Sequence, residues 1–169
     1  EILRKFHGEE TLVYPELWWK LRENITRDLI YEKKYLLAYE VSSNHHLSAG
    51  PEFADAEWIS GWLALSFLNK KKIAINHFEN FYKNVGFPIS LARGAFWLGL
   101  AHEKSNNSDK AKKYYKESAK FTNTYYGQLS FNKIYIGQDF QLSSGFELTN
   151  GYEKEFNKNK LIRHVRLLK

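Results

Sequence analysis

The 169-residue chain contains no cysteine, which excludes disulfide frameworks and thiolate metal centres. Proline is scarce at 3, and the 10 glycines are scattered singly. Long stretches can therefore run uninterrupted, and no glycine-rich loop exists to cradle a phosphate. Collagen-like and coil-only readings fall with that composition. No apolar run approaches the roughly 18 residues of a membrane span. No signal-peptide pattern opens the chain at Glu1. The expectation is a mature or excised piece, with any targeting segment outside it.

What is present is the balance of a folded domain. Hydrophobic residues reach 43% and charged ones 26%, which argues against disorder and for about one domain with a sizeable core. Aromatic residues are in excess, with 5 Trp, 11 Tyr and 12 Phe. Lys and Arg outnumber Asp and Glu by 25 to 19, a net charge of +6. A basic surface attracts polyanions, among them nucleic acid, anionic lipid and acidic wall polymers, and alone chooses none of them.

The apolar spacing is helical almost throughout. Leu17, Trp18, Leu21, Ile25 and Leu29 recur at three- and four-residue steps, as do Trp58, Trp62, Leu65 and Leu68. Pro15 suits a first helical turn. Gly50-Pro51, Gly86-Phe87-Pro88 and Asn106-Asn107-Ser108 punctuate the rest, with Asn107 or Ser108 able to cap the helix after them. The pattern predicts helices over 15–30, 32–45, 52–68, 70–84, 89–105, 108–121 and 125–136. A polar stretch over 137–150 and a weaker helix over 152–168 follow. Short connections fit antiparallel helix neighbours.

A repeat runs through these helices. Ala38, Ala74 and Ala111 sit early in the second helix of a pair, 36 and 37 residues apart. Four residues beyond them come Ser42, Phe78 and Tyr115; seven beyond come His45, Phe81 and Ser118. Leu98-Gly99 supplies the Leu-Gly of a tetratricopeptide-like first helix. Small residues there let two helices approach closely while aromatics fill the space beside them. The expectation is an all-α array of stacked helical hairpins over 1–136, with 137–169 a loop and linker segment.

Residues that could carry chemistry are few. His45 and His46 are adjacent and point to different faces, and no histidine has the spacing of a zinc site. No nucleophile elbow is present, and no metal or cofactor is expected. Lys70, Lys71 and Lys72 form a basic triplet at a helix start, and Lys110, Lys112, Lys113, Lys116 and Lys120 line one helical face. Both read first as solvated surface. Trp18 and Trp19 cannot both face one core, so one of them belongs at a contact or at the surface. Trp58, Trp62 and Trp97 read first as packing residues, with sugar stacking as the other reading.

Several blocks go beyond generic hairpins: Trp18-Trp19 with Arg22 and Arg27, Ala56-Glu57-Trp58 running into Gly61-Trp62-Leu63-Ala64-Leu65, His77-Phe78, Pro88-Ile89-Ser90 with Ala92-Arg93, Phe96-Trp97-Leu98-Gly99, and Tyr126-Gly127-Gln128-Leu129. In this order they resemble the α-helical superhelical domain of soluble lytic murein transglycosylases. The resemblance covers about 15–136 and continues loosely to Val165-Arg166-Leu167-Leu168, which is similar to that family's linker. Leu100 and Ser130 depart from it, standing where relatives often carry a basic residue and Ala.

The resemblance implies a right-handed superhelix belonging to a periplasmic enzyme. That enzyme cleaves glycan strands between N-acetylmuramic acid and N-acetylglucosamine, releasing 1,6-anhydromuropeptides. Its catalytic Glu, in a Glu-Ser motif of a lysozyme-like domain, protonates the leaving oxygen, and that domain would follow Lys169. Glu117-Ser118 with Phe121 matches the motif only superficially, since it sits in a Lys-rich repeat helix. Expected partners are peptidoglycan strands and the downstream catalytic domain, with Lys70, Lys71, Lys72 and Arg93 as the candidate glycan contacts. Neither nucleic acid nor a membrane span is expected. The rival reading is a tetratricopeptide-like scaffold that binds a protein. A nucleic-acid-binding helical repeat is permitted by charge and supported by nothing else.

Overall fold

The structure is a computed structural model that describes residues 14–139, 156–160 and 162. The described residues are all-helical, with no strand among them. Among the described residues seven helices follow one another: α1 Pro15–Tyr31, α2 Tyr35–Ser43, α3 Gly50–Ser66, α4 Lys71–Lys83, α5 Pro88–Lys104, α6 Ser108–Ala119 and α7 Tyr125–Ile134. The chain divides into compact units Glu1–Gln138 and Asp139–Lys169. Phe156–Lys158 form a helical turn in the second. The expected polar stretch and weak helix otherwise lie outside the described residues. No described helix is long and apolar enough to cross a membrane.

Each helix packs on its successor, and α1 also meets α3 as α5 meets α7. This is the pattern of hairpins laid side by side, with first helices α1, α3, α5 and α7 and second helices α2, α4 and α6. Three sets of equivalent positions repeat at the 36- and 37-residue steps. The chain's prolines, Pro15, Pro51 and Pro88, each open a first helix, where a missing N–H leaves no bond unmade. Lys33, Asn69 and Asn106 each turn the chain out of that helix with a left-handed backbone, at φ of 60°, 53° and 59°. Ala38, Ala74 and Ala111 then donate their N–H to the carbonyls of Lys34, Lys70 and Asn107, which open the second helices.

The side chains of the repeat point inward. Ala38, Ala74, Phe78, Phe81, Ser42 and Ser118 are fully buried, and Ala111, Tyr115 and His45 nearly so. Close approach depends on glycine. A Cβ at Gly61 would lie 2.7 Å from the Phe78 ring, and one at Gly99 2.7 Å from the Tyr115 ring. Overpacking of this kind costs about 1–3 kcal/mol. Gly99→Ala is therefore expected to lower thermal stability by several degrees, roughly 2–4 °C per kcal/mol at this size. A thermal melt of G99A unchanged from wild type would remove the close-packing account of this glycine.

Helix ends differ from the expected bounds by one to three residues, for local reasons. The second helix begins at Tyr35 rather than 32 because Lys33 and Lys34 close α1, donating to Ile30 and Leu29 carbonyls, a Schellman-type ending. Asn106 and Asn107 end α5 in the same way, donating to Glu103 and His102. Asn107 then caps α6 by accepting the Lys110 N–H. Of the tryptophan pair, Trp19 is buried and Trp18 is 39% exposed. Arg22, also buried, donates to the Val41 carbonyl in the last turn of α2, where a cation satisfies an orphan acceptor and suits the helix dipole.

Candidate functional site

Two ladders of side chains face each other across α3 and α5. Asp55, Trp58 and Trp62 stand at three- and four-residue steps on α3, and Arg93 and Trp97 stand one turn apart on α5; all five are half-buried. Helical spacing brings each set onto one face. The Trp58 and Trp62 rings lie 7° from parallel with centroids 6.2 Å apart. Trp97 meets Trp58 edge-on at 6.1 Å. The Arg93 guanidinium sits 4.7 Å over the Trp58 ring and 5.1 Å over Phe81. A planar cation held over aromatic faces gains stacking and charge–quadrupole attraction.

Burial lowers the Arg93 pKa, against attraction from Asp55. The Asp55 carboxyl is raised by burial and by Glu23 beside it, with Arg27, Arg93 and the Trp19 indole opposing. Three N–H donors in the seam, Trp58 Nε1, Trp97 Nε1 and Arg93 Nε, are buried without a hydrogen-bond partner. The arrangement offers aromatic faces, unspent donors and one cation. It holds no nucleophile poised against a base.

The sequence candidates do not converge. Arg93 is in the seam, packed over Phe81. Lys70, Lys71 and Lys72 stand at the opposite end of α4, ten residues from Phe81, or about 15 Å along a helix. Lys70 opens α4 with its carbonyl bonded to Ala74, and its amine lies 5.3 Å over the Tyr39 ring. Lys72 is exposed and Lys71 half-buried. Lys110, Lys112, Lys113, Lys116 and Lys120 all lie on the exposed side of α6. Glu117 pairs with Lys120 at 2.6 Å there, a surface ion pair with none of the burial a catalytic acid requires.

A concavity of about 400 Å³ lies between α1 and α3. Its lining includes Glu16, Glu23, Glu52 and Asp55 against a single Lys20, so it repels a polyanion. Among the described residues no group of three or more His, Asp or Glu side chains could hold a metal ion.

One buried polar cluster escaped the sequence reading. Glu57 is 5% exposed. Its carboxylate accepts from His45 Nε2 at 3.0 Å, from His77 Nδ1 at 2.8 Å and from Asn80 Nδ2 at 3.2 Å. Burial pushes its pKa up, but the hydrogen bonds and charge of His45 and His77 prevail and hold it at about 2. The available signal was a glutamate set among Phe53, Ala54, Ala56, Trp58 and Ile59, a position that demands partners. Those partners are 12 and 20 residues away, at no recognised spacing.

Neither a protein-family model, nor a curated protein, nor a solved structure matches the chain.

Proposed function

We propose that this chain is the non-catalytic helical-repeat domain of a periplasmic peptidoglycan lytic transglycosylase, a right-handed superhelix that supports a catalytic domain and holds glycan strands. The observation that carries the reading is the α3–α5 seam. In this reading the exposed parts of the half-buried Trp58, Trp62 and Trp97 rings meet the C–H surfaces of sugar rings, and Arg93, stacked over Trp58, meets the carboxyl groups of a wall polymer. Hairpins repeating at 36 and 37 residues are the architecture such a strand-holding surface needs, since stacked repeats present an extended face. The net charge of +6 favours an acidic polymer. Of the blocks that carry the resemblance, Trp19, Arg22, Glu57, Trp58, Gly61, Trp62, Arg93, Trp97, Leu98 and Gly99 take part in packing or in the seam, while Arg27, Pro88 and Ile89 are exposed.

Co-sedimentation with purified, insoluble sacculi across a salt series tests it. Pelleting is expected at low salt and weakens as salt rises, since exposed charge contacts are screened. Arg93→Gln, which removes the charge while leaving a shorter polar side chain, is expected to reduce pelleting by about fivefold, the effect of roughly 1 kcal/mol of charge contact. Full recovery in the supernatant at low salt would end the glycan-holding reading.

A protein-binding scaffold is the second reading, and one observation favours it. Tyr14, Leu17, Trp18 and Leu21 form an apolar stripe on α1 that is 67%, 70%, 39% and 46% exposed. Exposed stripes of this kind mark protein contacts.

A further inference from the structure

The prolines that open the first helices set a common register. By it, Leu17, Trp18 and Leu21 on α1 correspond to Phe53, Ala54 and Glu57 on α3, and Leu21 again to Gly94 on α5. The later residues are covered from the end of the preceding second helix. His45, just past α2, holds its ring 5.6 Å from Phe53 and bonds Glu57. Phe81, its counterpart in the last turn of α4, closes on Gly94, where a Cβ would lie 2.9 Å from the ring. Phe53, Ala54, Glu57 and Gly94 are all buried. Leu17, Trp18 and Leu21 hold the same register positions and are exposed, and no described helix precedes α1. Thus α1 turns outward the face with which α3 and α5 receive a helix.

The ground beside this face is acidic. Leu17 also lines the hollow between α1 and α3, where Glu16, Glu23, Glu52 and Asp55 stand against one Lys20. Arg27 pairs with Glu23, which leaves three carboxyl groups to that lysine within the hollow. Burial and then Glu23 raise the Asp55 pKa, so a cation brought to the hollow relieves a poorly solvated charge. The hollow runs against the chain's net charge of +6. The molecule as a whole attracts anions, and this place repels them.

We propose that the outer face of α1 and the acidic hollow beside it form a docking surface for a cationic amphipathic helix of a partner protein. The partner's apolar residues, at three- and four-residue spacing, lie along Leu17, Trp18 and Leu21, a helix laid on an apolar groove. Trp18 is the aromatic anchor. Lys or Arg residues on the partner's flank reach Glu16, Glu52 and Asp55. An anionic helix would find the same apolar stripe but bring like charge to the hollow, so charge sets which helix is accepted. The inference rests on the protein-binding reading of the stripe, not on glycan holding at the α3–α5 seam.

Isothermal titration calorimetry of the full chain at low salt, with two synthetic peptides, tests it. One is an amphipathic helix of leucine and lysine; the other has glutamate in place of every lysine. The lysine peptide is expected to bind about tenfold more tightly, against the chain's net charge. Trp18→Ala, at an exposed position, is expected to weaken it about tenfold. E16Q combined with E52Q is expected to narrow the preference about fivefold. Equal binding of the two peptides, or binding that W18A leaves unchanged, would overturn the proposal. Binding of the glutamate peptide alone, lost in W18A, would keep the protein-binding reading and sink the cationic partner. Binding of neither peptide would end both. A concentration-dependent dimer that W18A dissolves would give the face to a second copy instead.

Discussion

Glu57→Ala is expected to lower the melting temperature by on the order of 10 °C, from a loss of about 3–4 kcal/mol. The carboxylate is one atom group serving three donors from two elements: His45 in the α2–α3 turn and His77 and Asn80 on α4. Truncation leaves all three donors buried with nothing to accept them, and an unmade buried bond costs more than a made one gains. It also opens a void where the buried side chain stood. Glu57→Gln is the milder change, at about 1–2 kcal/mol. The amide keeps one acceptor, and His77 can present its other tautomer.

The two variants also separate charge from packing. The folded Glu57 carboxyl, at about 2, lies below its ordinary 4.5. A depressed acid stabilises the fold at pH above the unfolded value and loses that contribution as pH falls toward the folded one. The window is therefore between about pH 4.5 and 2, and its depth is on the order of 3 kcal/mol. Wild type should lose stability through this window more steeply than E57Q, which has no carboxylate to protonate. Parallel stability curves for the two proteins in chemical denaturation at pH 6 to 3 would show that the anion is not what the histidines hold.

Much of this architecture is written in local sequence. The helices follow from three- and four-residue apolar spacing, and their ends from proline, asparagine and the repeated alanine. These signals are short-range, so one pass along the chain recovers them. Lys33 shows where that fails: a left-handed turn residue expected to be glycine or asparagine is lysine, and the helix after it starts three residues later than the periodicity suggests. The candidate site was legible only in parts. Arg93 and the three tryptophans are visible as residues. Their meeting depends on how α3 and α5 lie against each other, which no spacing within one helix records. The distance of the lysine triplet from Arg93 is of the same kind, since most of the length of α4 separates the triplet from Phe81, over which Arg93 packs. The Glu57 cluster is the extreme case, assembled from a turn and two helices.

Gly127→Ala is expected to be the most damaging glycine-to-alanine change among the described residues. A Cβ at Gly127 would overlap the Phe121 carbonyl oxygen and lie 2.5 Å from its carbon. Gly61 and Gly99 face rings that can tilt, but Gly127 faces backbone, and that backbone is fixed. The Phe121 carbonyl accepts from the Thr124 N–H at 2.9 Å and from its hydroxyl at 2.8 Å. The Thr124 oxygen in turn caps α7 by accepting the Gly127 N–H at 3.1 Å. Gln128 Nε2 donates back to the Thr122 carbonyl at 2.9 Å. The methyl must break this turn or displace the start of α7, at about 3 kcal/mol or more. The expected result is a melting temperature lower by roughly 6–12 °C, with amide protection lost first in α7. Gly86, with open space where a Cβ would go, serves as the matched control, and G86A should be neutral. If G127A melts with G86A, the turn yields and the glycine is not fixed by it. If it melts as expected, Tyr126-Gly127-Gln128-Leu129, one of the blocks behind the resemblance, is accounted for by closure of the α6–α7 turn. The proposal of a glycan-holding surface then rests on the α3–α5 seam rather than on that motif.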